Sequence, residues 1–109
     1  MEQVDGITLL KETGDAYFSN YWLTTILIDP EKTGISNRQL MEAFEQDNIE
    51  SRHLWNPMHL QPVFSGCPAY VNGTSERLFQ QGLCLPSGSN MSDSDRDRVL
   101  EILQRTLNF

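Results

Sequence analysis

The sequence predicts an α+β protein of two layers, in which a three- to four-stranded, mainly antiparallel sheet carries helices on one face. The first observation is an aromatic and β-branched run from Tyr21 to Ile28, which suits a pleated and mostly buried strand. The second is a repeated helix-capping pattern, in which a serine precedes a glutamine or an aspartate by three positions, at Ser36 and at Ser92. The predicted order is strand, helix, strand, loop, helix, strand, helix.

The first half of the chain is predicted to hold two strands and one helix. Residues 6–10 carry three apolar side chains and suit a short first strand. Asp29-Pro30 ends the second strand, because proline lacks the amide donor that a ladder requires, and Gly34 lets the chain turn. The helix begins after Ser36 and continues to about residue 47. Its apolar face is formed by Leu40, Met41 and Phe44.

The second half is predicted to alternate between strands, a loop and two helices. Residues 49–54 suit a strand, and three prolines between Trp55 and Val71 favour an ordered loop. A short helix from Thr74 to Gln81 is expected to end at Gly82 in a left-handed conformation. Residues 83–85 suit a brief strand, and the last helix follows Ser92. Its predicted apolar stripe consists of Val99, Leu100, Leu103 and Leu107.

The composition excludes several classes of protein. The chain has 109 residues, with 15 acidic against 8 basic side chains and a net charge of -7, so it lacks the basic surface of a nucleic-acid-binding protein. No apolar run approaches the roughly 20 residues that span a bilayer, and the N-terminus has no secretory signal pattern. We therefore expect a cytoplasmic protein of one domain, residues 1–109, without nucleic-acid or membrane partners.

Cysteine and histidine spacing favours neither a disulfide nor a metal site. Cys67 and Cys84 are expected to be free thiols in a reducing compartment. The two histidines, His53 and His59, do not match the close ligand pairs of a structural zinc site. Serine-nucleophile elbows and glycine-rich phosphate loops are also missing from the sequence. We expect no metal.

The lysine content restricts Schiff-base chemistry. The sequence contains two lysines, Lys11 beside Glu12 and Lys32 within a predicted turn. Both are expected to be solvated surface cations, because a nucleophilic lysine requires burial or a cationic neighbour that lowers its pKa.

The segment from Glu50 to Phe64 has the highest density of side chains suited to binding. Arg52 offers a planar guanidinium for a carboxylate or phosphate. His59 can exchange a proton near neutral pH, and Trp55 can supply a stacking surface. Each also has a purely structural alternative, as a surface ion pair, a loop-pinning hydrogen bond or a core side chain respectively.

Three stretches resemble the C-terminal part of the pyridoxal-phosphate-dependent sugar aminotransferases of the DegT/StrS type. They are Ser19-Asn20-Tyr21-Trp22-Leu23, the Arg52 to Phe64 segment, and Gly82-Leu83-Cys84-Leu85-Pro86-Ser87-Gly88-Ser89. Their order and spacing match that family, and the resemblance covers nearly the whole chain. The string from Arg52 to Pro62 carries most of its specificity.

The resemblance implies a small domain of a fold-type-I enzyme, a homodimer that aminates keto nucleotide sugars for surface polysaccharides or glycans. Its partners would be a large cofactor domain, a second subunit, a nucleotide sugar and an amino donor. The family's Schiff-base lysine lies in the large domain, and this sequence contains none of that region. We therefore expect no catalytic residue and no bound pyridoxal phosphate in this chain alone, which is then inactive.

The resemblance also nominates substrate-binding residues in the intact enzyme. His59 and Gln61 match general family positions, where they would line the nucleotide-sugar or amino-donor site. Arg52 and Trp55 match a narrower subgroup, with Arg52 paired to an anionic group. The alternative is that these residues only hold the loop in shape. For the chain as a whole, the alternative is a stand-alone interaction or regulatory module derived from such a domain.

Overall fold

The computed structural model describes residues 4–109, so the first three residues of the N-terminal stretch considered above lie outside the described part. The strands are β1 (Ile7–Leu9), β2 (Thr24–Ile28), β3 (Arg52–His53) and β4 (Gly82–Leu85). The helices are α1 (Pro30–Thr33), α2 (Asn37–Gln46), α3 (Thr74–Gln81) and α4 (Asp93–Leu107). Two 3₁₀ turns, Met58–Leu60 and Pro62–Phe64, lie between β3 and α3.

The four strands form one antiparallel sheet in the order β1-β2-β4-β3. Ile26 of β2 lies opposite Leu83 of β4, and Thr25 lies opposite Cys84. Because cross-strand partners share a face, Ile26 and Leu83 point to one side and Thr25 and Cys84 to the other. The predicted α+β class with a small antiparallel sheet is confirmed.

The core lies between one face of the sheet and helices α2 and α4. Ile26 and Ile28 of β2 and Leu83 of β4 are fully enclosed there. Leu40 and Phe44 of α2 pack against them as predicted, while Met41 is only partly buried. None of the helices within residues 4–109 is long and apolar enough to cross a membrane.

Both predicted capping boxes are present. The Ser36 hydroxyl accepts from the Gln39 amide, and the Gln39 side chain accepts from the Ser36 amide at 2.8 Å. At α4, Asp95 Oδ2 accepts from the Ser92 amide at 2.9 Å and from the Ser92 hydroxyl at 2.7 Å. These hydrogen bonds, from the hydroxyl first and the amide second, lower the pKa of Asp95.

Strand β2 begins later than the predicted Tyr21, because side chains before it bind the backbone. Ser19 Oγ accepts from the Tyr21 amide at 3.0 Å, and Asn20 Oδ1 accepts from the Trp22 amide at 3.1 Å. Such local bonds compete with a ladder. Tyr21 takes a left-handed conformation with φ 51°. The apolar run therefore starts as an exposed turn and becomes a strand at Thr24.

Strand β3 is also shorter than the predicted 49–54. The end of α2 extends its hydrogen bonding into this region, since the Ile49 amide donates to Phe44 O at 2.9 Å. Asn48 adopts a left-handed conformation with φ 57° to allow this. The ladder is limited to Arg52 and His53, which pair with β4.

The predicted stripe of α4 was wrong at one position. Val99, Leu103 and Leu107 are buried as expected, but Leu100 is 45% exposed. Ile102 takes its place in the core. Positions 99, 102, 103 and 107 follow a helical repeat, whereas Leu100 lies about 100° around the helix from Val99.

Gly82 does not end α3 in the predicted left-handed conformation. Its φ of -84° and ψ of 145° are extended, and it begins β4 directly. Glycine is required there because of close contact: a Cβ would lie 2.1 Å from Leu54 Cδ1 and 2.5 Å from Leu78 O. The short helix over Thr74–Gln81 is confirmed.

Asn37, at the first turn of α2, is the one polar residue that is buried within residues 4–109. Its side-chain amide donates to Gly82 O at 2.9 Å and approaches Phe79 O and His53 Nδ1 at 3.3 Å. One amide group therefore links α2 to β3 and to the junction between α3 and β4.

Replacing Gly82 with alanine is expected to destabilise the protein by about 3 kcal/mol, because the added methyl group overlaps Leu54 and the Leu78 carbonyl. Urea denaturation followed by circular dichroism measures this loss. Gly88→Ala is the control, since its Cβ meets the rotatable Asn90 Oδ1 at 2.8 Å and nothing else closer than 3.9 Å. Equal stabilities for the two variants would contradict this account of Gly82.

The two capping boxes are expected to differ in their response to acid. Ser36→Ala and Ser92→Ala each remove an N-cap and cost about 1 kcal/mol at neutral pH. The lowered pKa of Asp95 means that its hydrogen bonds stabilise the native state above the unfolded pKa and are lost as pH falls through the native pKa. Gln39 does not titrate, so the capping box of Ser36 and Gln39 stabilises α2 equally as the pH falls.

Denaturation at about pH 7 and about pH 3 is the measurement, since these values lie on either side of an ordinary aspartate pKa. The penalty of Ser92→Ala should shrink at the lower pH, while that of Ser36→Ala should stay constant. Carbon NMR of the Asp95 carboxyl in Ser92→Ala should show its pKa raised towards the ordinary value. A Ser92→Ala penalty that does not change with pH would refute this explanation.

Candidate functional site

The loop from Leu54 to Gly73 presents three of the four predicted binding residues. As the prolines predicted, it contains no α-helix or strand. Its two 3₁₀ turns are closed by backbone bonds, from the Leu60 amide to Pro57 O at 3.0 Å and from the Ser65 amide to Pro62 O at 3.2 Å. The predicted ordered loop is therefore confirmed.

His59 lies in the first 3₁₀ turn and is held by a carboxylate from α3. Its Nε2 lies 2.8 Å from Glu76 Oε1. The side chains are 19% and 39% exposed, respectively, so the pair is partly shielded from water. No other hydrogen bond of the His59 ring occurs among residues 4–109.

Gln61 closes the first 3₁₀ turn of the loop. Its Nε2 donates to Asn56 O at 3.0 Å and lies 3.6 Å from Met58 Sδ. These contacts agree with the alternative in which Gln61 shapes the loop, and they leave its side-chain oxygen without a hydrogen bond within residues 4–109. Gln61 can therefore still accept a hydrogen bond from a ligand.

Arg52 and Trp55 are exposed. Arg52 on β3 forms an ion pair with Glu50, with Nε 2.8 Å from Glu50 Oε1. The Trp55 ring is 69% exposed, so it does not fill the core. Surface pairs of this kind contribute little to stability, and Arg52 can exchange Glu50 for another anion at small cost.

The structure places two of the four predicted residues in separate clefts, and Trp55 and Gln61 line neither of them. Arg52 lines an open cleft of about 560 Å³ whose walls also include Trp22, Ser87 and Arg98. His59 lines a separate cleft of about 290 Å³ with Phe64, Cys67 and Tyr70. No residue belongs to both. Arg52 and His59 therefore do not share one cleft within this chain.

Two residues near these clefts, Glu76 and Ser51, are not among the predicted binding residues. Glu76 lies 17 positions after His59, outside the segment that we singled out. Ser51 lines the larger cleft, and its hydroxyl is buried without a hydrogen-bond partner within residues 4–109. Only the tertiary fold brings these groups to the clefts.

The lysines of the chain do not fit a covalent pyridoxal phosphate site. Lys32 donates to Asp5 Oδ1 at 3.1 Å, and this hydrogen bond, together with the attraction of the Asp5 charge, raises the pKa of Lys32. A raised pKa keeps the amine protonated, which is the opposite of what a Schiff base requires. Lys11 is exposed in the segment between β1 and β2. Within residues 4–109, no three His, Cys, Asp or Glu side chains cluster closely enough to hold a metal ion.

Most exposed large apolar side chains lie in two segments without charged residues. Residues 16–28 and 54–75 contain no Asp, Glu, Lys or Arg. Trp22 in the first segment is 72% exposed, and Tyr70 in the second is fully exposed. The others in these segments are Tyr17, Phe18, Tyr21, Trp55, Met58, Leu60, Val63 and Val71. Uncharged surface rich in aromatic residues is typical of the centre of a protein interface.

The fold and the clefts define a small α+β protein that presents candidate binding side chains on a loop, and neither of its two lysines suits a covalent cofactor. A model of the DegT/DnrJ/EryC1/StrS aminotransferase family matches residues 1–104. The chain therefore belongs to the DegT/DnrJ/EryC1/StrS aminotransferase family, as the resemblance predicted.

Three similar proteins illustrate the relationship. EpsN of Bacillus subtilis (strain 168), named as a candidate pyridoxal phosphate-dependent aminotransferase, is 39% identical over 104 residues, which are 92% of this chain and 26% of EpsN. GDP-perosamine synthase of Vibrio cholerae is 31% identical over 93 residues, 84% of this chain and 24% of that protein. The crystal structure of DesI in the presence of its TDP-sugar product matches with a TM-score of 0.80 and 25% identity, over 96% of this chain and 27% of DesI. The chain thus spans about a quarter of the length of these proteins.

The two cysteines are expected to differ sharply in reactivity, because Cys67 is exposed in the loop and Cys84 is buried in β4. A maleimide reagent should label one thiol per chain in the native protein and two after denaturation in urea. Cys67→Ser should abolish the native labelling, and Cys84→Ser should leave it intact. Fast native labelling of Cys84, detected by mass spectrometry of peptides, would contradict the position of β4.

Proposed function

We propose that the chain is the C-terminal small domain of a pyridoxal-phosphate-dependent aminotransferase that acts on keto nucleotide sugars for surface polysaccharide or glycan synthesis. Alone it is inactive and binds no pyridoxal phosphate covalently. The observation that carries the proposal is the family match over residues 1–104, combined with lysines that do not suit a Schiff base. In the intact enzyme the cofactor would be held by a large domain and would supply the electron sink for amino transfer.

The named activities of relatives support the substrate class. One relative is a GDP-perosamine synthase, and the DesI structure was obtained with a TDP-sugar product. Both names refer to sugars carried on a nucleoside diphosphate. For this chain, a keto nucleotide sugar is the class of substrate that agrees with both relatives.

The exposed apolar surface supports a domain that contacts other parts of a larger enzyme. The charge-free segments 16–28 and 54–75 expose aromatic side chains that a solitary acidic protein rarely presents together. The radius of gyration is 15.4 Å, against about 13 Å for a compact chain of this length. Both features agree with a large domain and a second subunit as partners.

The separate clefts of Arg52 and His59 support binding of different parts of the substrate by these residues. Arg52 and Trp55 are exposed, and within residues 4–109 Arg52 is paired only with the exposed Glu50, so it is available to an anionic group such as a phosphate. His59 and Gln61 each keep one unused hydrogen-bonding atom in the uncharged loop. We assign all four residues to substrate binding in the intact enzyme, with the loop providing no group for the chemical step itself.

A chimera tests the proposal. The stretch of the Vibrio cholerae GDP-perosamine synthase that matches this chain is replaced by this chain, and formation of GDP-perosamine is measured. We expect synthesis by the chimera and none by the same enzyme with the stretch deleted, because the small domain completes the substrate site. A chimera that folds and retains bound cofactor but makes no product would overturn the assignment.

A second measurement uses the isolated chain and does not depend on the activity of the chimera. After incubation with pyridoxal phosphate, borohydride reduction and dialysis, mass spectrometry should find no modified lysine at stoichiometric yield. Stoichiometric modification of Lys11 or Lys32 would refute the inactive-domain proposal. Lys32→Arg is the matched control, since arginine keeps the ion pair with Asp5 and cannot form the adduct.

A further inference from the structure

The contact between His59 and Glu76 carries an inference that deepens the proposed function and rests on it. We propose that Glu76 is a positioning residue, which holds the His59 ring as the tautomer protonated at Nε2 and leaves Nδ1 as an acceptor for a neutral hydroxyl group of the sugar. The distance of 2.8 Å between Nε2 and Glu76 Oε1 is that of a charge-assisted hydrogen bond.

The tautomer follows from the chemistry of the two groups. An ionised carboxylate only accepts hydrogen bonds, so the ring nitrogen that faces it must carry the proton. In a neutral imidazole the other nitrogen then has a lone pair. His59 Nδ1 makes no hydrogen bond within residues 4–109 and is therefore available as an acceptor.

Glu76 is well placed to fix the ring because it belongs to a regular helix. It lies in the first turn of α3, which continues without a break into the buried strand β4. His59 instead belongs to a loop that has only short 3₁₀ turns. A side chain on a loop holds its orientation when a group on a packed helix binds it. Helix α3 therefore orients the His59 side chain. The sequence pattern does not predict this contact, because Glu76 lies 17 positions after His59.

The surroundings select a neutral ligand group. The cleft beside His59 is lined by Met58, Phe64, Cys67 and Tyr70 among others, and its lining includes no lysine or arginine. The whole segment 54–75 is free of charged residues. A phosphate or carboxylate would find no positive charge there and would meet the lone pair of Nδ1. A sugar hydroxyl can donate to that lone pair and rest against apolar walls.

Nitrogen NMR of the isolated chain tests the tautomer directly, because ring nitrogens with and without a proton differ widely in chemical shift. At mildly alkaline pH we expect His59 to carry its proton at Nε2. Glu76→Gln should keep this tautomer, since the glutamine oxygen also accepts, whereas Glu76→Ala should give a mixture. A doubly protonated ring, a proton on Nδ1, or an unchanged tautomer in Glu76→Ala would each overturn the proposal.

Two controls separate positioning from damage to the fold. His53 is the other histidine, and its Nδ1 contacts Asn37 rather than Glu76, so its signals should be the same in every variant. Arg77→Ala changes the neighbouring position of α3 and should leave the His59 tautomer intact. If Glu76→Ala disturbs the His53 signals as strongly as those of His59, the residue acts on the fold and the proposal fails.

The chimera described above supplies the functional measurement. Glu76→Ala and His59→Ala should each raise KM for the nucleotide sugar about tenfold, the effect of losing one hydrogen bond to a neutral group. The double variant should be no worse than either one, and Glu76→Gln should restore most of the affinity. Additive effects or unchanged KM would overturn the proposal. An inactive chimera would count against the proposed function, while the NMR result would still decide the role of Glu76.

Discussion

The junction between α3 and β4 is the constraint on which the remaining structure depends. The helix passes into the strand with no intervening residue, so Gly82 both ends α3 and begins the central ladder. Leu54 occupies the space where any larger side chain would extend, and the Asn37 amide binds the Gly82 carbonyl at 2.9 Å. One buried glycine therefore sets the positions of α2, β3 and the loop that follows β3, all relative to the most buried strand.

This junction also organises the candidate site. The loop that carries His59 and Gln61 leaves the sheet after β3 and returns through α3, so both of its ends are anchored at β4. Within the loop, short 3₁₀ turns and the Gln61 amide maintain the local shape. Glu76 then connects the middle of the loop to helix α3. A segment without α-helix or strand can thus hold a candidate binding side chain in one orientation.

Charged residues are distributed unevenly along this chain. Acidic residues give the protein its net charge of -7, yet two long segments contain no Asp, Glu, Lys or Arg and hold most of the large apolar side chains that are exposed within residues 4–109. That arrangement agrees with the chain length relative to its family, since the relatives are about four times as long. Such an uncharged, aromatic surface is costly to leave in water and is typical of the centre of a protein interface.

The sequence by itself determined the family, the α+β class, the capped helices and the irregular loop, because capping boxes, apolar periodicity and proline act over a few neighbouring residues. It failed where nearby groups compete with the strand for backbone hydrogen bonds, and where groups distant in sequence decide the packing. The turn before β2 and the short β3 depend on which nearby group accepts the backbone hydrogen bonds. The exposure of Leu100 depends on which apolar residues of α4 face the sheet. The extended conformation of Gly82, the burial of Asn37 and the pairing of His59 with Glu76 were decided only by the tertiary structure, because each depends on residues more than a dozen positions away.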